Sequence, residues 1–162
     1  MNGAAMQIGK FIHNVNLAEE YQNLSEVDEL SADILASHKR FEQACYFLLQ
    51  AMEKSLRAKI FTKINPNHGY FREINRSHSI EDAIRLFTDI VSGGEEIKKM
   101  QINKQLDDYV IKGSNYNFLH NNLRYPNFSN KYKNFSKLAV KKNDFDELKR
   151  RLNWLRVFLK DY

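Results

Sequence analysis

The stretch 38–61, HKRFEQACYFLLQAMEKSLRAKIF, decides the fold class of this chain. Its apolar side chains recur every three or four residues, which is the period of one face of an α-helix; they are Phe41, Cys45, Leu48, Leu49, Met52, Leu56 and Ile60. No strand-like alternation competes with the helical period elsewhere in the sequence. The stretch therefore predicts a long amphipathic helix, from about His38 to Ile64, in an all-α protein.

The residues before this helix predict an arm and a further helix. Residues 1–16 have weak apolar periodicity and two glycines, so we expect them to form a partly ordered arm. The helix begins at about Leu17 or Ser25 and ends near Ala36, and its apolar side is expected to face the core; that side comprises Leu24, Val27, Leu30, Ile34 and Leu35. The remaining 17–162 fit a single helical domain by length.

Three more helices are predicted after residue 64. A polar connection over 70–77 leads to a helix that begins after Ser79, because Ser79 and Asp82 have the spacing of a capping box. The next helix spans about Glu95 to Ile111, and its expected core residues are Ile97, Met100, Leu106, Tyr109 and Val110. The last helix carries Phe145, Leu148, Leu152, Leu155 and Leu159 in heptad steps after a cap at Asn143 or Asp144. The pattern predicts an up-and-down bundle of about five helices.

Charge is distributed unevenly along the chain. Residues 112–162 contain twelve Lys and Arg against four Asp and Glu, a net charge of +8, whereas 1–111 carry thirteen against sixteen, a net of −3. This asymmetry favours an acidic partner such as RNA phosphate near the C-terminal third. A set of solvated Lys-rich helices would give the same count, so both interpretations stay open.

The location of the protein is predicted from what the sequence lacks. Cys45 is the only cysteine, and its apolar neighbours predict a buried thiol in a reducing compartment. No apolar run approaches the ~20 residues that a membrane helix needs. With no signal-peptide pattern at the N-terminus, we expect a cytoplasmic protein that does not enter a membrane.

The segment 115–132, NYNFLHNNLRYPNFSNKY, interleaves Tyr and Phe with Asn, Arg and Lys. Rings in such a segment can stack on bases while the basic groups contact phosphates. His120 precedes Arg124 by four residues, so the two share a face if the segment is helical. The segment is therefore the best candidate for a binding surface.

Three parts of the sequence together resemble the HEPN family of helical domains from prokaryotes and higher eukaryotes. The matching residues are Gln50, Ala51, Glu53, Lys54, Arg57 and Ala58 in the long helix, then His78, Ile80, Glu81 and Asp82, then Leu119, Leu123, Arg124, Tyr125 and Pro126. The resemblance implies a helical bundle that forms homodimers with a polar groove between the subunits. It also implies either metal-independent ribonuclease activity or association with a nucleotidyltransferase in defence or toxin–antitoxin pairs.

The ribonuclease branches of that family use an Arg and a His with four to six residues between them, and no His follows Arg124 in this chain. Arg72 and His78 have a suitable spacing, since a guanidinium can neutralise a phosphate while an imidazole of pKa ~6.5 moves a proton. They are the candidate catalytic pair, and His120 with Arg124 is the alternative. The departure at Arg124 leads us to expect little or no RNA cleavage.

The candidate ligand-binding residues are His120, Arg124, Tyr125, Glu53 and Lys54. Glu53 lies within an apolar stripe, so it needs a basic partner, which is either Arg57 one turn away or Arg124 at the groove. No spacing typical of a metal site and no Gly-rich phosphate loop is present, so no metal or cofactor is expected.

The leading functional hypothesis is a HEPN-like homodimer that binds RNA or a nucleotide-bearing partner. Dimerisation is also suggested by the heptad pattern of the last helix, with Trp154 and Phe158 expected to be exposed. The alternatives are a metal-independent endoribonuclease and a non-catalytic, antitoxin-like module whose basic C-terminal third binds an acidic protein.

Overall fold

The computed structural model describes residues 9–74 and 76–162. Within them, the elements in chain order are α1 (Leu17–Ser37), α2 (Phe41–Phe61), α3 (Gly69–Ile74), α4 (Ile80–Ser92), α5 (Glu96–Leu106), a π-helical turn (Asp107–Ile111), α6 (Tyr116–Arg124), β1 (Asn127–Ser129), β2 (Asn134–Ser136) and α7 (Lys142–Lys160). The all-α prediction is confirmed, although there are more helices than the expected five. Of the predicted arm, 1–8 lie outside the described residues, and 9–16 contain no regular element.

Helix α2 lies at the centre of the bundle, and α1, α4, α6 and α7 all pack against it. Most of its residues from Ala44 to Phe61 are buried, including Cys45, so the prediction of a buried thiol is confirmed. Burial raises the pKa of the Cys45 thiol to about 12. One cluster of buried apolar side chains joins α2 to α4, α5, the π-helical turn and α7.

Helix α1 faces the core with a different side from the predicted one. Ser25, Asp28 and Ala32 are its buried residues, whereas Leu24, Val27, Leu30 and Ile34 are exposed. The reason is polar pairing with α2: Ser25 Oγ donates to the Ala51 carbonyl oxygen at 2.8 Å, and Lys54 Nζ lies 2.5 Å from Asp28 Oδ2. Of the predicted apolar side only Leu35 packs against the core, so the expectation is wrong for the other four residues.

The region of α5 and the π-helical turn is only partly as predicted. Leu106 and Val110 are fully buried as expected, but Ile97, Met100 and Tyr109 are exposed. The Lys112 N–H bonds to the Asp107 carbonyl oxygen at 2.8 Å, five residues back, so the final turn is wider than an α-helical turn. This change of winding displaces Tyr109 from the face that an α-helical period assigns to it.

Helix α7 buries all five predicted core residues. At its start, the Asp144 carboxylate accepts a hydrogen bond from the Lys141 N–H at 2.7 Å. Phe158 is buried, and the half-buried Trp154 stacks between it and Tyr109, with ring centroids at 5.1 and 4.6 Å. The expected exposure of Phe158 is therefore wrong, and α7 does not offer the aromatic dimer face that the sequence suggested.

Two segments contain structure that was not predicted. The polar connection expected over 70–77 includes α3, and 127–136 form a short antiparallel hairpin in which Phe128 pairs with Phe135. The expected cap of α4 is present, because Ser79 Oγ accepts from the Asp82 N–H at 3.1 Å. Among the helices of the described residues, none combines the length and the apolar character needed to cross a membrane.

Candidate nucleic-acid interface

A buried ion pair on α2 forms the base of the candidate site. Arg57 Nε donates to Glu53 Oε1 at 2.8 Å, and both side chains are about 5% exposed. Arg57 also donates to the carbonyl oxygen of Ser77, in the connection before α4. Of the two partners considered for Glu53, the structure places Arg57 beside it. Because Arg57 also contacts Ser77, it links α2 to the connection before α4.

His78 follows directly in the same connection. Its Nδ1 lies 3.5 Å from Glu53 Oε1, and its side chain is 76% exposed. The Glu53 carboxylate therefore contacts a buried guanidinium on one side and an imidazole at the surface on the other.

The start of α6 is fixed by an acidic side chain from α4. The Glu81 carboxylate accepts hydrogen bonds from the backbone N–H groups of Tyr116 at 2.7 Å and Asn117 at 3.2 Å. Asn115 Oδ1 caps the same helix by accepting from the Phe118 N–H at 2.8 Å. These contacts satisfy the first N–H groups of α6 and place a negative charge at its positive end.

The segment 112–115, between the π-helical turn and α6, forms a corner in the chain. Arg151 of α7 contacts this corner. Its Nη1 donates to the carbonyl oxygens of Val110 and Ile111 at 3.1 and 3.0 Å and to Ser114 Oγ at 2.8 Å. The Tyr116 hydroxyl lies 3.3 Å from the same nitrogen. One guanidinium therefore joins the π-helical turn, the corner and α6 to the last helix.

Helix α6 carries His120 against the surface of α2. His120 Nε2 lies 2.9 Å from the side-chain nitrogen of Gln50, and its ring centroid is 5.2 Å from that of Tyr46. Because an amide nitrogen donates, Nε2 accepts in this arrangement and the ring proton sits on Nδ1. Burial, followed by the charge of Arg124, lowers the pKa of His120, while Glu53 raises it and His78 lowers it slightly. His120, His78 and Glu53 thus share one electrostatic environment.

Arg124 lies at the surface next to two tyrosine rings. Its Cζ is 4.9 Å from the centroid of Tyr125 and 5.7 Å from that of Tyr46, and its Nη2 donates to the Tyr125 hydroxyl at 2.9 Å. Such cation–π stacking fixes the guanidinium plane and leaves other N–H groups available to a ligand. Tyr125 is itself more than half exposed, so the pair of side chains lies at the surface.

Two of the predicted site residues lie apart from this cluster. Lys54 points to α1, where it pairs with Asp28. Arg72 is exposed on α3, and in the described part of the chain no hydrogen bond or ion pair links its side chain to His78. The structure brings together Glu53, His78 and His120, and the exposed side chains of Arg124 and Tyr125 lie at the surface at the end of α6.

The hairpin, which follows Tyr125 in the chain, adds further exposed aromatic rings. More than half of each of five side chains in α6 and the hairpin is accessible to solvent, namely Phe118, Tyr125, Phe128, Tyr132 and Phe135. Phe128 and Phe135 face each other across the hairpin at 5.6 Å, and Lys131 Nζ lies 5.1 Å from the Tyr132 ring centroid. The hairpin has a signal in the sequence that was missed, since the triplet Asn-Phe-Ser occurs at both 127–129 and 134–136.

Comparison with known proteins gives no relative: no family model, curated protein or solved structure matches this chain. The resemblance to HEPN domains therefore rests on the residues quoted for it. Within the described residues, no group of three or more His, Cys, Asp or Glu side chains is arranged to hold a metal ion.

The His120 environment predicts a specific pH dependence. Because the folded pKa of His120 lies below its ordinary value of 6.5, the unfolded chain binds its proton at higher pH than the folded chain does. Neutral His120 therefore stabilises the folded protein. This contribution is fully present above the pKa of His120 in the unfolded chain and is lost as the pH falls through the pKa of His120 in the folded chain. We expect the His120→Asn variant to lose less unfolding free energy than the wild type between about pH 7.5 and about pH 5.5.

Urea unfolding at the two pH values measures this effect. His13→Asn is the matched control, because His13 is exposed near the start of the chain. Equal pH dependence in the wild type and in His120→Asn would contradict the prediction.

Proposed function

We propose that this protein binds single-stranded RNA on the face formed by α6 and the hairpin. The observation that carries the proposal is the exposure of five aromatic rings within α6, the residue that follows it, and the hairpin. Exposed rings give bases a stacking surface that tolerates many sequences, and neighbouring cations follow the phosphate backbone. The chain supplies such cations, because 124–142 contain six Lys and Arg and no Asp or Glu.

The lysines at the turn of the hairpin support the same proposal. Lys131 and Lys133 are exposed, and neither forms an ion pair with an acidic side chain among the described residues. Lys137 lies 3.8 Å from Glu42, but it is 70% exposed and this pair is weak. Positive charge beside the rings is therefore available to phosphates.

Arg124 would contact a phosphate at the inner end of this face. Its planar guanidinium is held by the rings of Tyr46 and Tyr125, and a fork of N–H donors suits a phosphate. A strand bound along the hairpin would thus end near His120 and His78. Of the predicted ligand residues, His120, Arg124 and Tyr125 would share a role in this arrangement, whereas Lys54 would have none.

Fluorescence anisotropy with a labelled oligouridylate RNA tests the proposal. Phe118→Ala and Tyr132→Ala remove exposed rings outside the Phe128 and Phe135 pair, and each is expected to weaken binding by about 1 to 3 kcal/mol. Ile97→Ala on α5 is the control, since this side chain is apolar and is exposed at least as much as the two rings. Failure of the wild type to bind, or equal loss in the control, would overturn the proposal.

Salt dependence separates RNA binding from the antitoxin-like alternative. Each phosphate neutralised on a single strand contributes a slope of about −0.7 to the dependence of log K on log salt concentration. Lys131→Glu with Lys133→Glu should reduce that slope for the RNA, whereas Lys98→Glu with Lys104→Glu on α5 should leave it unchanged. The nucleotidyltransferase partner and the defence or toxin–antitoxin role stay predictions of the family resemblance.

A second candidate function is RNA cleavage, which is favoured by the contact of His78 with Glu53 and by the position of His120 within the electrostatic influence of both residues. In this reaction the 2′-hydroxyl would give its proton to neutral His120 and attack phosphorus. The 5′-oxygen would leave with a proton from His78, giving a 2′,3′-cyclic phosphate and a free 5′-hydroxyl. Arg72 forms no hydrogen bond or ion pair with these residues in the described part of the chain, and no step is assigned to it.

We expect bound RNA to be cleaved slowly or not at all, because the Gln50 amide already occupies Nε2 of His120. Incubation of the protein with oligouridylate and analysis of the ends measures this. Cleavage that disappears in both His78→Ala and His120→Ala, and in RNA with a 2′-deoxy nucleotide at the cut, would establish the second function.

A further inference from the structure

A cavity of about 480 Å³ lies between the start of α1, the second half of α2 and the end of α7. This volume is within the range of about 300 to 1,000 Å³ that small-molecule sites occupy. The small side chains of Ala18 on α1 and of Ser55 and Ala58 on α2 leave the space, and Leu159 of α7 contributes an aliphatic surface. Most of the lining surface is apolar. The cavity is therefore suited to the apolar part of a small ligand.

The lining favours an aliphatic ligand over a planar or hydroxylated one. None of the described residues that line the cavity carries an aromatic ring, so a base would find no ring to stack on. The inner polar groups already have partners, since Ser55 Oγ lies 2.8 Å from Ser25 Oγ and accepts from Arg156 Nε at 3.3 Å. Thr62 Oγ1 and the side-chain nitrogen of Gln22 also donate within the protein. Ligand hydroxyl groups would thus replace existing hydrogen bonds rather than add new ones.

Two lysine side chains give the cavity a positive charge. Within the described residues, neither Lys59 nor Lys160 forms a side-chain hydrogen bond or ion pair. Lys59 is half-buried, and burial, followed by the charge of Lys63, lowers the pKa of its ammonium group. An ammonium group that is partly removed from water is stabilised by an anion beside it. The two lysines therefore favour a ligand with a negative charge.

The charge balance favours a ligand with one negative charge rather than two. Arg156 also lines the cavity, but its guanidinium is already paired with the Glu29 carboxylate. Glu19 is the one acidic side chain among the described lining residues, and it is exposed. Two lysines against this carboxylate leave one positive charge. A carboxylate ligand matches that charge, whereas the second charge of a phosphate ester would be repelled by Glu19.

We propose that this cavity binds an aliphatic monocarboxylate, with its carboxylate paired with Lys59 and Lys160 and its hydrocarbon chain against the small side chains of α1 and α2. The chain covers apolar surface that otherwise contacts water, and the carboxylate gives the half-buried Lys59 a charged partner. The cavity lies beside the end of α2, whereas the proposed RNA-binding segment contacts α2 nearer its start. Each site can therefore be tested alone.

Isothermal titration calorimetry with hexanoate, octanoate, decanoate and dodecanoate gives the first test. Each methylene group that is buried is expected to tighten binding by about fourfold. The gain should stop once the cavity is filled, because further methylene groups stay in water. Decanol lacks the charge and should bind about tenfold more weakly than decanoate. Decyl phosphate should also bind more weakly than decanoate, because it carries the second charge.

Substitution of the charged residues tests the position of the carboxylate. Lys59→Gln is expected to weaken decanoate binding by about tenfold, because the variant keeps a polar side chain but loses the charge. Lys63→Gln is the matched control, since Lys63 is exposed one turn further along the chain and does not line the cavity. Glu19→Gln should tighten binding, because it removes the opposing charge. All three variants should bind RNA as the wild type does.

A bulky substitution tests the position of the hydrocarbon chain. Gln22 is exposed and lines the cavity, so Gln22→Trp should fill much of the space and abolish decanoate binding with an unchanged circular dichroism spectrum. Gln101→Trp is the control at an exposed position of α5, and it should bind decanoate as the wild type does.

Three results would overturn the proposal. One is a wild-type protein that binds no member of the carboxylate series at millimolar concentration. Another is decanol or decyl phosphate that binds at least as tightly as decanoate, since the charge argument would then fail. The last is decanoate binding that survives Gln22→Trp or is weakened equally by Lys59→Gln and Lys63→Gln, because the ligand would then lie elsewhere.

Discussion

Glu53→Ala is expected to lower the free energy of unfolding by about 3 to 5 kcal/mol, because it leaves the Arg57 guanidinium buried without its carboxylate. The change also removes the acidic neighbour of His78. Urea unfolding followed by circular dichroism measures the loss. Glu42→Ala on the same helix is the control, since its pair with the exposed Lys137 should be worth only about 0 to 1 kcal/mol.

A paired substitution separates the buried charge from the loss of packing. Glu53→Met with Arg57→Met replaces both ions by apolar chains of similar length, and such exchanges are often neutral or stabilising. We therefore expect the double variant to be more stable than Glu53→Ala. If Glu53→Ala and Glu42→Ala had equally small effects, the assignment of a structural role to this pair would be wrong.

Arg151→Ala is expected to lower stability by about 2 to 4 kcal/mol, because hydrogen bonds from a charged donor to partly buried acceptors are lost together. These acceptors are the carbonyl oxygens of Val110 and Ile111 and the side chains of Ser114, Tyr116 and Glu147. Since they hold the start of α6, we also expect weaker RNA binding. Urea unfolding and anisotropy measure the two effects.

Arg150→Ala provides the neighbouring control. Arg150 is 59% exposed and pairs with the same Glu147, whose pKa is lowered to about 2 by hydrogen bonds from Arg150 and Arg151. Replacement of Arg150 by Ala should lower the free energy of unfolding by no more than about 1 kcal/mol and should leave RNA binding unchanged. If the Arg151→Ala protein were as stable as Arg150→Ala, the contacts of Arg151 would not be needed to hold the corner between the π-helical turn and α6.

The sequence was sufficient for the elements whose signals are local. The seam of α7 and the Ser79 cap of α4 follow directly from spacing. The orientation of α1 does not, because its buried face is set by Ser25 and Asp28, whose hydroxyl and carboxylate find partners on α2. Apolar periodicity assigns such polar residues to the solvent side when it considers one helix alone.

The candidate site was predictable to a similar degree. The contact between Glu53 and Arg57 follows from a four-residue step on a helix. The approach of His78 to Glu53, and of His120 to Gln50, depends on how α4 and α6 pack against α2. No spacing in the sequence encodes these distances, so the pairing of Arg72 with His78 looked as plausible as any other.

The π-helical turn at Asp107–Ile111 makes α6 sensitive to the number of residues that precede it. One residue of an α-helix turns the chain by about 100°, so deletion of a single residue here would rotate the Lys112 corner about the axis of α5. The Glu81 and Arg151 contacts could not both follow that rotation. The length of this turn therefore sets the direction in which α6 leaves the bundle, and a one-residue gap at this place would distinguish chains that have the aromatic face from chains that lack it.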